Sequence, residues 1–464
     1  MKNIKFGKYF SLFFSTAICF SLLASCGGGG STQSELSAQP TLTPSSIVSE
    51  GTASSGEEPR NGLTGKMIVG YQGWFGCPGD FEGNTKWIHW FDDTADPENF
   101  TVDAIPVVNQ LDPADLCDTG LVRADGSPLL LFSSQNQNVV NTHFQWMKDH
   151  NIDGAAAQRF VSELSHPALK NRSDNVLKNI RRAAEDSGRS FYLTYDITGA
   201  DPRMVIEDIR KDWRHIVETL KITESPNYLV DNGKSVLQLW GFGFGDRPVV
   251  SIDHVVSLIG DLKNGKDGLL AVTLVGGVPT NWRTLSGDSQ TDPGWAALYR
   301  SYDVISPWSV GRYHDSDSII DHIESNVIPD IQATQSAGIR YLPVIFPGFS
   351  WYNLMMNRGY AESATLNQIP RRCGDFLWQQ MSRLLDANVS MFYGAMFDEV
   401  DEATALFKLE TNQGKLPRDS QMISLDQDGC TLPDNWYLSI LEKGSDLLKS
   451  GQEPPEELSQ ILTR

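Results

Sequence analysis

The amino-acid sequence predicts an α/β protein built as one (β/α)8 TIM barrel with long loops. Two features predict this fold: the alternation of strand-like and helix-like segments, and the number of such units. From about residue 66 to residue 451, short apolar runs alternate with amphipathic segments, with no internal linker and no obvious repeat. Alternation of this kind is typical of a parallel sheet covered by helices, and eight such units predict a closed barrel. A doubly wound open sheet is the alternative; the lack of a GxGxxG motif after the first strand disfavours it.

The predicted strands are short runs rich in β-branched and aromatic residues, and the predicted helices show an amphipathic period. The strands cover residues 67–71, 154–160, 190–196, 236–240, 269–274, 302–306, 341–346 and 391–397. The helices cover residues 141–150, 176–187, 202–222, 252–262, 318–337 and 376–387, with one more short helix before residue 302. The first strand–helix unit contains a long loop.

The first residues have the pattern of a bacterial secretion signal with a lipid anchor. Lys2, Lys5 and Lys8 supply a positive start, and residues 10–23 form an apolar run too short to span a bilayer comfortably. The run ends in Leu-Ala-Ser-Cys, which resembles a lipobox with Cys26 as the lipidated residue. An ordinary cleaved signal with an incidental cysteine is the alternative.

The chain therefore divides into three predicted parts. Residues 1–25 form the signal peptide, and residues 26–62, rich in Ser, Thr, Pro, Gly and Glu, form a disordered tether. Residues 63–464 form the barrel domain. We expect the mature protein at the bacterial cell envelope, held to a membrane by its lipid.

Charge limits the partners of this protein. The formal net charge is -20 at pH 7, and no basic stripe appears, so we expect no binding to nucleic acid. Strongly acidic glycans are also disfavoured, unless a local basic pocket overrides the average charge. We expect a monomer without a cofactor.

Four cysteines remain once Cys19 and Cys26 are set aside. Cys77, Cys117, Cys373 and Cys430 are an even number in an oxidising compartment, and three pairings are possible. Proximity in sequence favours Cys77 with Cys117 and Cys373 with Cys430. A zinc site is the alternative, but no CxxC or His-x-x-His spacing supports it.

Aromatic and polar residues follow the predicted strands, where a barrel places its active site. Flat aromatic rings with interspersed amides and charges suit a sugar, whose C–H face stacks on a ring while its hydroxyls form hydrogen bonds. Core packing is the alternative for each Trp taken alone. The predicted substrate-binding residues are Trp74, Trp87, His89, Gln158, Arg159, Asp196, Trp308, Arg312, Tyr313, Trp351 and Asp398.

Four carboxylates follow the last predicted strand: Asp398, Glu399, Asp401 and Glu402. Charge beside a buried strand is costly, so carboxylates cluster there mainly to bind a cation or to share acid–base work. We predict Glu399 and Glu402 as a catalytic pair, since glycosidic bonds are cut by two carboxyl groups. A Ca²⁺ site is an alternative, although the glycine of an EF-type loop is missing; a solvated acidic loop without function is another.

Several motifs resemble glycoside hydrolase family 99 and the related 71-like barrels. Residues 70–75 (GYQGWF), followed by residues 87–90 (WIHW), are similar to the opening strand of those barrels. Residues 399–404 (EVDEAT) are similar to their Glu-x-x-Glu-Gly-Thr element. Residues 306–313 (SPWSVGRY) and 397–402 (FDEVDE) look closer still to a bacterial 71/99-like subgroup. The resemblance covers about residues 66–450.

The resemblance implies a mechanism and specific roles. Glu402 matches the general acid/base, and Glu399 matches the carboxylate that helps the 2-hydroxyl of the sugar attack the anomeric carbon. Configuration is then retained through an anhydrosugar. Ala403 replaces the usual Gly, and the family's strand motif with a substrate-binding Glu has no clear match, Asp196 being nearest; this puts mannose specificity in doubt.

The sequence leaves two other functions open. One is a non-catalytic glycan-binding lipoprotein on the same barrel, which the presence of both glutamates disfavours. The other is an inverting hydrolase, whose carboxyl groups stand roughly 6.5–9.5 Å apart rather than about 5–5.5 Å.

Overall fold

The computed structural model describes residues 62–463. The predicted signal peptide, the lipidation residue Cys26 and the tether up to residue 61 lie outside the described residues. Within residues 62–463, none of the helices is long and apolar enough to cross a bilayer.

The strands fall into one large parallel sheet and one small hairpin. They are β1 (Met67–Tyr71), β2 (Leu116–Val122), β3 (Pro128–Phe132), β4 (Gly154–Phe160), β5 (Ser190–Asp196), β6 (Val230–Asp231), β7 (Lys234–Trp240), β8 (Val272–Pro279), β9 (Val304–Trp308), β10 (Arg340–Tyr341), β11 (Val344–Ile345) and β12 (Phe392–Gly394).

The large sheet closes into the predicted eight-stranded barrel. Its order is β10-β9-β8-β7-β5-β4-β1-β12-β11, and β6 adds one antiparallel edge to β7. β10 and β11 are two halves of one strand: β10 pairs with β9 and β11 pairs with β12. The interruption contains Pro343, which has no N–H to donate to a ladder. β10 and β11 are the two edges of the sheet, and they belong to one short chain segment, so the sheet closes on itself. The (β/α)8 prediction is confirmed.

The helices form the layer outside the barrel and contact the strands. They are α1 (Gln137–Asp149), α2 (Pro167–Ser187), α3 (Val205–Arg214), α4 (Ile252–Asn264), α5 (Gly294–Tyr299), α6 (Ser316–His322), α7 (Ile328–Ser336), α8 (Tyr352–Asn357), α9 (Asp375–Asp386) and α10 (Trp436–Ser450). A π-helical turn, His215–Thr219, continues α3, and another, Ile323–Val327, joins α6 to α7. The single helix predicted over residues 318–337 is therefore two α-helices joined by a wider turn.

The barrel wall is apolar on both faces, as in other parallel sheets covered by helices. Every residue of β1 and β5 is buried. Gly70 lets β1 pack closely against Met396: a Cβ at position 70 would lie 2.1 Å from Cε of Met396. This contact brings the end of β1 against the chain that leads from β12 to the acidic cluster.

Both disulfides pair as predicted by sequence proximity. Cys77 bonds Cys117, with their Cα atoms 6.4 Å apart, and Cys373 bonds Cys430 at 6.0 Å. The first disulfide ties the loop after β1 to the β2–β3 hairpin. This hairpin was not predicted from the sequence. The second ties the start of α9 to the loop that follows the acidic cluster. The four thiols are consumed, so the zinc alternative is wrong.

Candidate active site

The acidic cluster lies at the carboxyl end of β12, at the same barrel mouth as the ends of the other strands. Two of its carboxylates, together with Asp196 from the end of β5, act electrostatically on the phenol of Tyr393. Burial raises the pKa of Tyr393, and the charges of Glu399, Asp196 and Asp398 raise it further. Asp196 ends β5 and Glu399 follows β12, so the structure brings these predicted residues together.

Asp398 joins two strand ends. Its side chain is fully buried. Oδ1 accepts a hydrogen bond from the backbone N–H of Gln72 at 2.7 Å, and Oδ2 accepts one from Gly73 at 2.9 Å. Burial raises the pKa of Asp398 to about 7. Both oxygens accept backbone donors, so Asp398 ties the segment after β12 to the segment after β1; its contact with a substrate stays a prediction.

Glu399 and Glu402 are neighbours whose charges act on each other. Burial raises the pKa of Glu399 well above its usual range, and the charges of Glu402 and Asp401 add to that effect. The side-chain amide of Gln72 donates a hydrogen bond to Glu399, and Thr404 Oγ1 lies 3.4 Å from its Oε2. Both contacts favour the carboxylate form and hold the side chain in place.

Glu402 is half-buried, so it is the more accessible member of this pair. Burial and the charge of Asp401 raise the pKa of Glu402 to about 7, against the opposing charges of Arg358 and Arg247. Its backbone carbonyl accepts the N–H of Ser350 at 2.9 Å, which anchors the loop before α8 to the site. Two adjacent carboxyls with raised pKa values can exchange protons with a ligand near neutral pH.

Trp74 and His89, both from the long loop after β1, stack beside the cluster. Their rings are parallel within 7°, with centroids 4.0 Å apart, and Phe160 lies 5.4 Å from the Trp74 ring. His89 Nδ1 lies 3.2 Å from Asp401 Oδ2. One face of Trp74 is thus covered by protein, which leaves less of it for a sugar than the sequence suggests.

A second aromatic group lines the opposite side of the mouth. Trp240, the last residue of β7, lies edge-on to Trp308 at the end of β9, with centroids 5.3 Å apart. The guanidinium of Arg247 lies 5.1 Å from the Trp240 ring. The Arg247 charge also acts on Asp196 and on Glu402, whose pKa values it lowers against the effect of burial. Arg247 was not among the predicted substrate-binding residues. Its charge acts on residues at the ends of both β5 and β12.

Several polar atoms at this mouth are buried without a hydrogen-bond partner among the described residues. Three are indole N–H donors and three are oxygen acceptors, and all come from segments at or just after strand ends. They are Nε1 of Trp74, Trp240 and Trp351, Oε1 of Gln72 and Gln158, and Oδ1 of Asp401. Buried polar atoms normally find partners, so this mixed set of donors and acceptors matches a ligand rich in hydroxyl groups.

Two predicted residues point away from the mouth. Arg159 is fully buried, and its guanidinium is bound by Asp212 and Asp174 at 2.6 Å, on the helix side of β4. Side chains alternate along a strand, so Gln158 and Arg159 face opposite sides. Tyr313 is buried in the layer outside the barrel, where its hydroxyl donates to Gln380 at 2.9 Å. The substrate-binding predictions for Arg159 and Tyr313 are therefore wrong.

The remaining predicted residues lie nearer the rim. Trp351 directly follows Ser350 and contacts Phe349, with centroids 5.1 Å apart. Arg312 is partly exposed and pairs with Asp288 at 2.9 Å. Trp87 is half-buried against Phe91. Throughout residues 62–463, no group of three or more His, Cys, Asp or Glu side chains is arranged to hold a metal ion.

Solved structures with the same fold are enzymes that act on glycans. A family 99 endo-α-mannosidase from Bacteroides thetaiotaomicron superposes with a TM-score of 0.60 at 13% identity, over 84% of this chain and 99% of that one. The same enzyme with bis-tris propane bound gives 0.58 at 14% identity, over 84% and 98%. No family model matches the sequence, and no curated protein matches it. The chain thus has the fold of TIM-barrel glycoside hydrolases, as the motif resemblance predicts.

Proposed function

We propose that the protein is a lipid-anchored glycoside hydrolase that cleaves an external polysaccharide or glycan with retention of configuration. The observation that carries this proposal is the pair Glu399 and Glu402, two interacting carboxyls with raised pKa values at the mouth of the barrel. The unpartnered donors and acceptors around them supply the hydroxyl recognition that a sugar needs.

The proposed reaction follows the mechanism that the family resemblance implies. Glu399 accepts the proton of the sugar 2-hydroxyl while O2 attacks the anomeric carbon. Glu402 donates its proton to the leaving oxygen, and a 1,2-anhydrosugar forms. Water then attacks the anomeric carbon, Glu402 takes the proton of that water, and Glu399 returns its proton to O2. Two displacements at one carbon give net retention.

Proton placement in this pair depends on the substrate. In the free protein, burial and the neighbouring charges favour the protonated forms of both Glu399 and Glu402. The reaction requires an ionised Glu399 beside a protonated Glu402. A sugar 2-hydroxyl donating to Glu399 would join the Gln72 amide in stabilising the carboxylate form of Glu399. Binding of the correct sugar therefore favours the arrangement that the reaction requires.

The proposed substrate is a neutral glycan. The net charge of -20 and the acidic cluster at the carboxyl end of β12 disfavour acidic polymers. The family 99 neighbour is an endo-α-mannosidase, so the panel of test glycans includes α-mannans. Because this chain has no clear match to the family's strand motif with a substrate-binding Glu, the panel also includes other neutral glycans. Gln72 and Gln158 are suited to bind hydroxyls in the sugar site beside Glu399, since Gln72 also contacts that carboxyl.

A glycan panel tests the proposal. We expect the wild-type protein to release reducing sugar from at least one neutral glycan, and Glu399→Gln and Glu402→Gln to bind that glycan but lose turnover. Glu324→Gln, an exposed glutamate on the outer helices, is the matched control and should retain full activity. Binding without turnover by the wild-type protein would favour the second candidate, a glycan-binding lipoprotein.

A further inference from the structure

Asp401 stands between Glu399 and Glu402 in sequence and is itself buried, with a side chain only 4% exposed. Oδ2 contacts His89 Nδ1 at 3.2 Å, while Oδ1 has no hydrogen-bond partner among residues 62–463. A buried carboxylate with one unsatisfied oxygen acts strongly on its neighbours, because little solvent screens it.

His89 is held in place by two further constraints. Its ring lies flat on Trp74, and its backbone has a φ of +61°, in the left-handed region that residues other than glycine rarely adopt. Such conformations persist where the surrounding structure enforces them, often at functional sites. The His89 side chain is 29% exposed, so the imidazole sits between the buried Asp401 and solvent.

We propose that Asp401 and His89 form an ion pair that sets how readily Glu399 and Glu402 hold the proton they use in catalysis. The inference rests on the proposed function and gives Asp401 and His89 a positioning role for charge rather than a contact with the reacting atoms. The negative charge of Asp401 favours the protonated forms of both glutamates. When the His89 imidazole carries a second proton, its positive charge offsets that effect.

Other charged and polar groups also face the pair and must stay constant in the test. They are Asp398 on the same segment, Gln72 after β1, Asp196 at the end of β5, Arg247 after β7, Arg358 after α8 and Tyr393 within β12. None of these is altered by substitutions at Asp401 or His89, so a changed pH profile can be assigned to the ion pair.

The test compares pH profiles of kcat/KM on an unactivated glycoside that the wild-type protein hydrolyses, because cleavage of such a substrate needs the proton of Glu402. Asp401→Asn removes the negative charge that raises the pKa of Glu402. We therefore expect the alkaline limb of the kcat/KM profile to move to lower pH by roughly 1 unit. His89→Gln keeps an N–H donor for Asp401 but removes the ring that can carry a positive charge, and the alkaline limb should move to higher pH. Opposite shifts would not follow from a general loss of structure.

The matched control is His215→Gln, which breaks a similar contact, 2.7 Å from Asp174, on the helix side of the barrel. Its profile should equal that of the wild type. An unmoved limb in Asp401→Asn, or shifts of the same sign in both variants, would overturn the inference while leaving the hydrolase intact. Should Asp401→Asn not fold, an unmoved limb in His89→Gln is enough to overturn it. A wild-type protein inactive on every glycan would overturn both proposals.

Discussion

At the scale of single residues, the proposed mechanism gives two glutamates different tasks. In it Glu402 donates a proton to the leaving oxygen, so its loss should matter most when the leaving group is poor. In Glu402→Gln we expect turnover of an unactivated glycoside to fall roughly 10²–10⁴-fold. Turnover of an activated aryl glycoside should fall far less, since its leaving group needs no proton. Steady-state kinetics on both substrates measures the difference; equal losses would remove Glu402 from the acid role.

The pH dependence should report the same residue. Burial and Asp401 raise the pKa of Glu402 to about 7, so the proton stays on through the acidic range and is lost above about pH 7. Because a general acid works only while protonated, we expect kcat/KM to fall as the pH rises through this region. The limb should be weaker for activated substrates. A profile that is flat from pH 6 to 9 on an unactivated glycoside would contradict the assignment.

Which residues lie at the barrel mouth was only partly predictable from the sequence. Glu399, Glu402 and Asp196 could be placed because each follows a strand, and strand ends meet at one mouth. Arg159 was misplaced although the period of two along β4 separates it from Gln158. Gln72 donates a hydrogen bond to Glu399, and the charge of Arg247 acts on Glu402; both partners are far away in the sequence. No local pattern in the chain signals such contacts.

At the scale of elements, one buried carboxylate connects the long loop after β1 to α8. Asp103 accepts hydrogen bonds from Ser350 Oγ at 2.5 Å, from the N–H of Tyr352 at 2.6 Å and from the N–H of Asn353 at 2.8 Å. Ser350 in turn donates its backbone N–H to Glu402. The carboxylate thus fixes the loop that supports the proposed acid.

Removing that carboxylate should affect both stability and activity. Asp103→Ala leaves several buried donors without a partner, each costing about 1–3 kcal/mol, so we expect a lower Tm. We also expect reduced kcat, because Ser350 and Glu402 lose their alignment. Thermal melts and kinetics compare the variant with Asp321→Ala, an exposed aspartate on α6. A variant as stable and as active as this control would show that the loop holds its position without Asp103.

Element boundaries show where sequence patterns are informative. β1, β4 and β5 were predicted to the residue. β8 begins and ends later than predicted, and it contains Gly276 and Gly277, which look like a turn. Side chains there would collide: a Cβ at Gly277 would lie 2.3 Å from Cδ1 of Trp240. These glycines serve close packing, which only the folded barrel reveals.

At the scale of the whole molecule, the proposed anchor determines where the protein is located. Cys26 follows the lipobox-like segment at residues 23–26 and precedes a tether rich in Gly and Ser. We expect Cys26→Ser to lose incorporation of labelled fatty acid and to leave the membrane fraction, while its purified barrel keeps full activity. The same substitution at the signal-peptide cysteine, Cys19→Ser, is the control. Membrane retention of Cys26→Ser would show that another feature holds the protein.

The central claim is that Glu399 and Glu402 cleave a glycan with retention of configuration. The stereochemistry of the first product tests this claim most directly. A substrate-assisted mechanism through Glu399 and Glu402 predicts that the anomer released has the configuration of the substrate bond. Proton NMR of the cognate glycan in the first minutes of hydrolysis, before mutarotation, distinguishes the two anomers. We predict a retained anomer with the wild-type protein and no comparable signal with Glu399→Gln. An inverted anomer, or normal turnover by Glu399→Gln, would contradict the account.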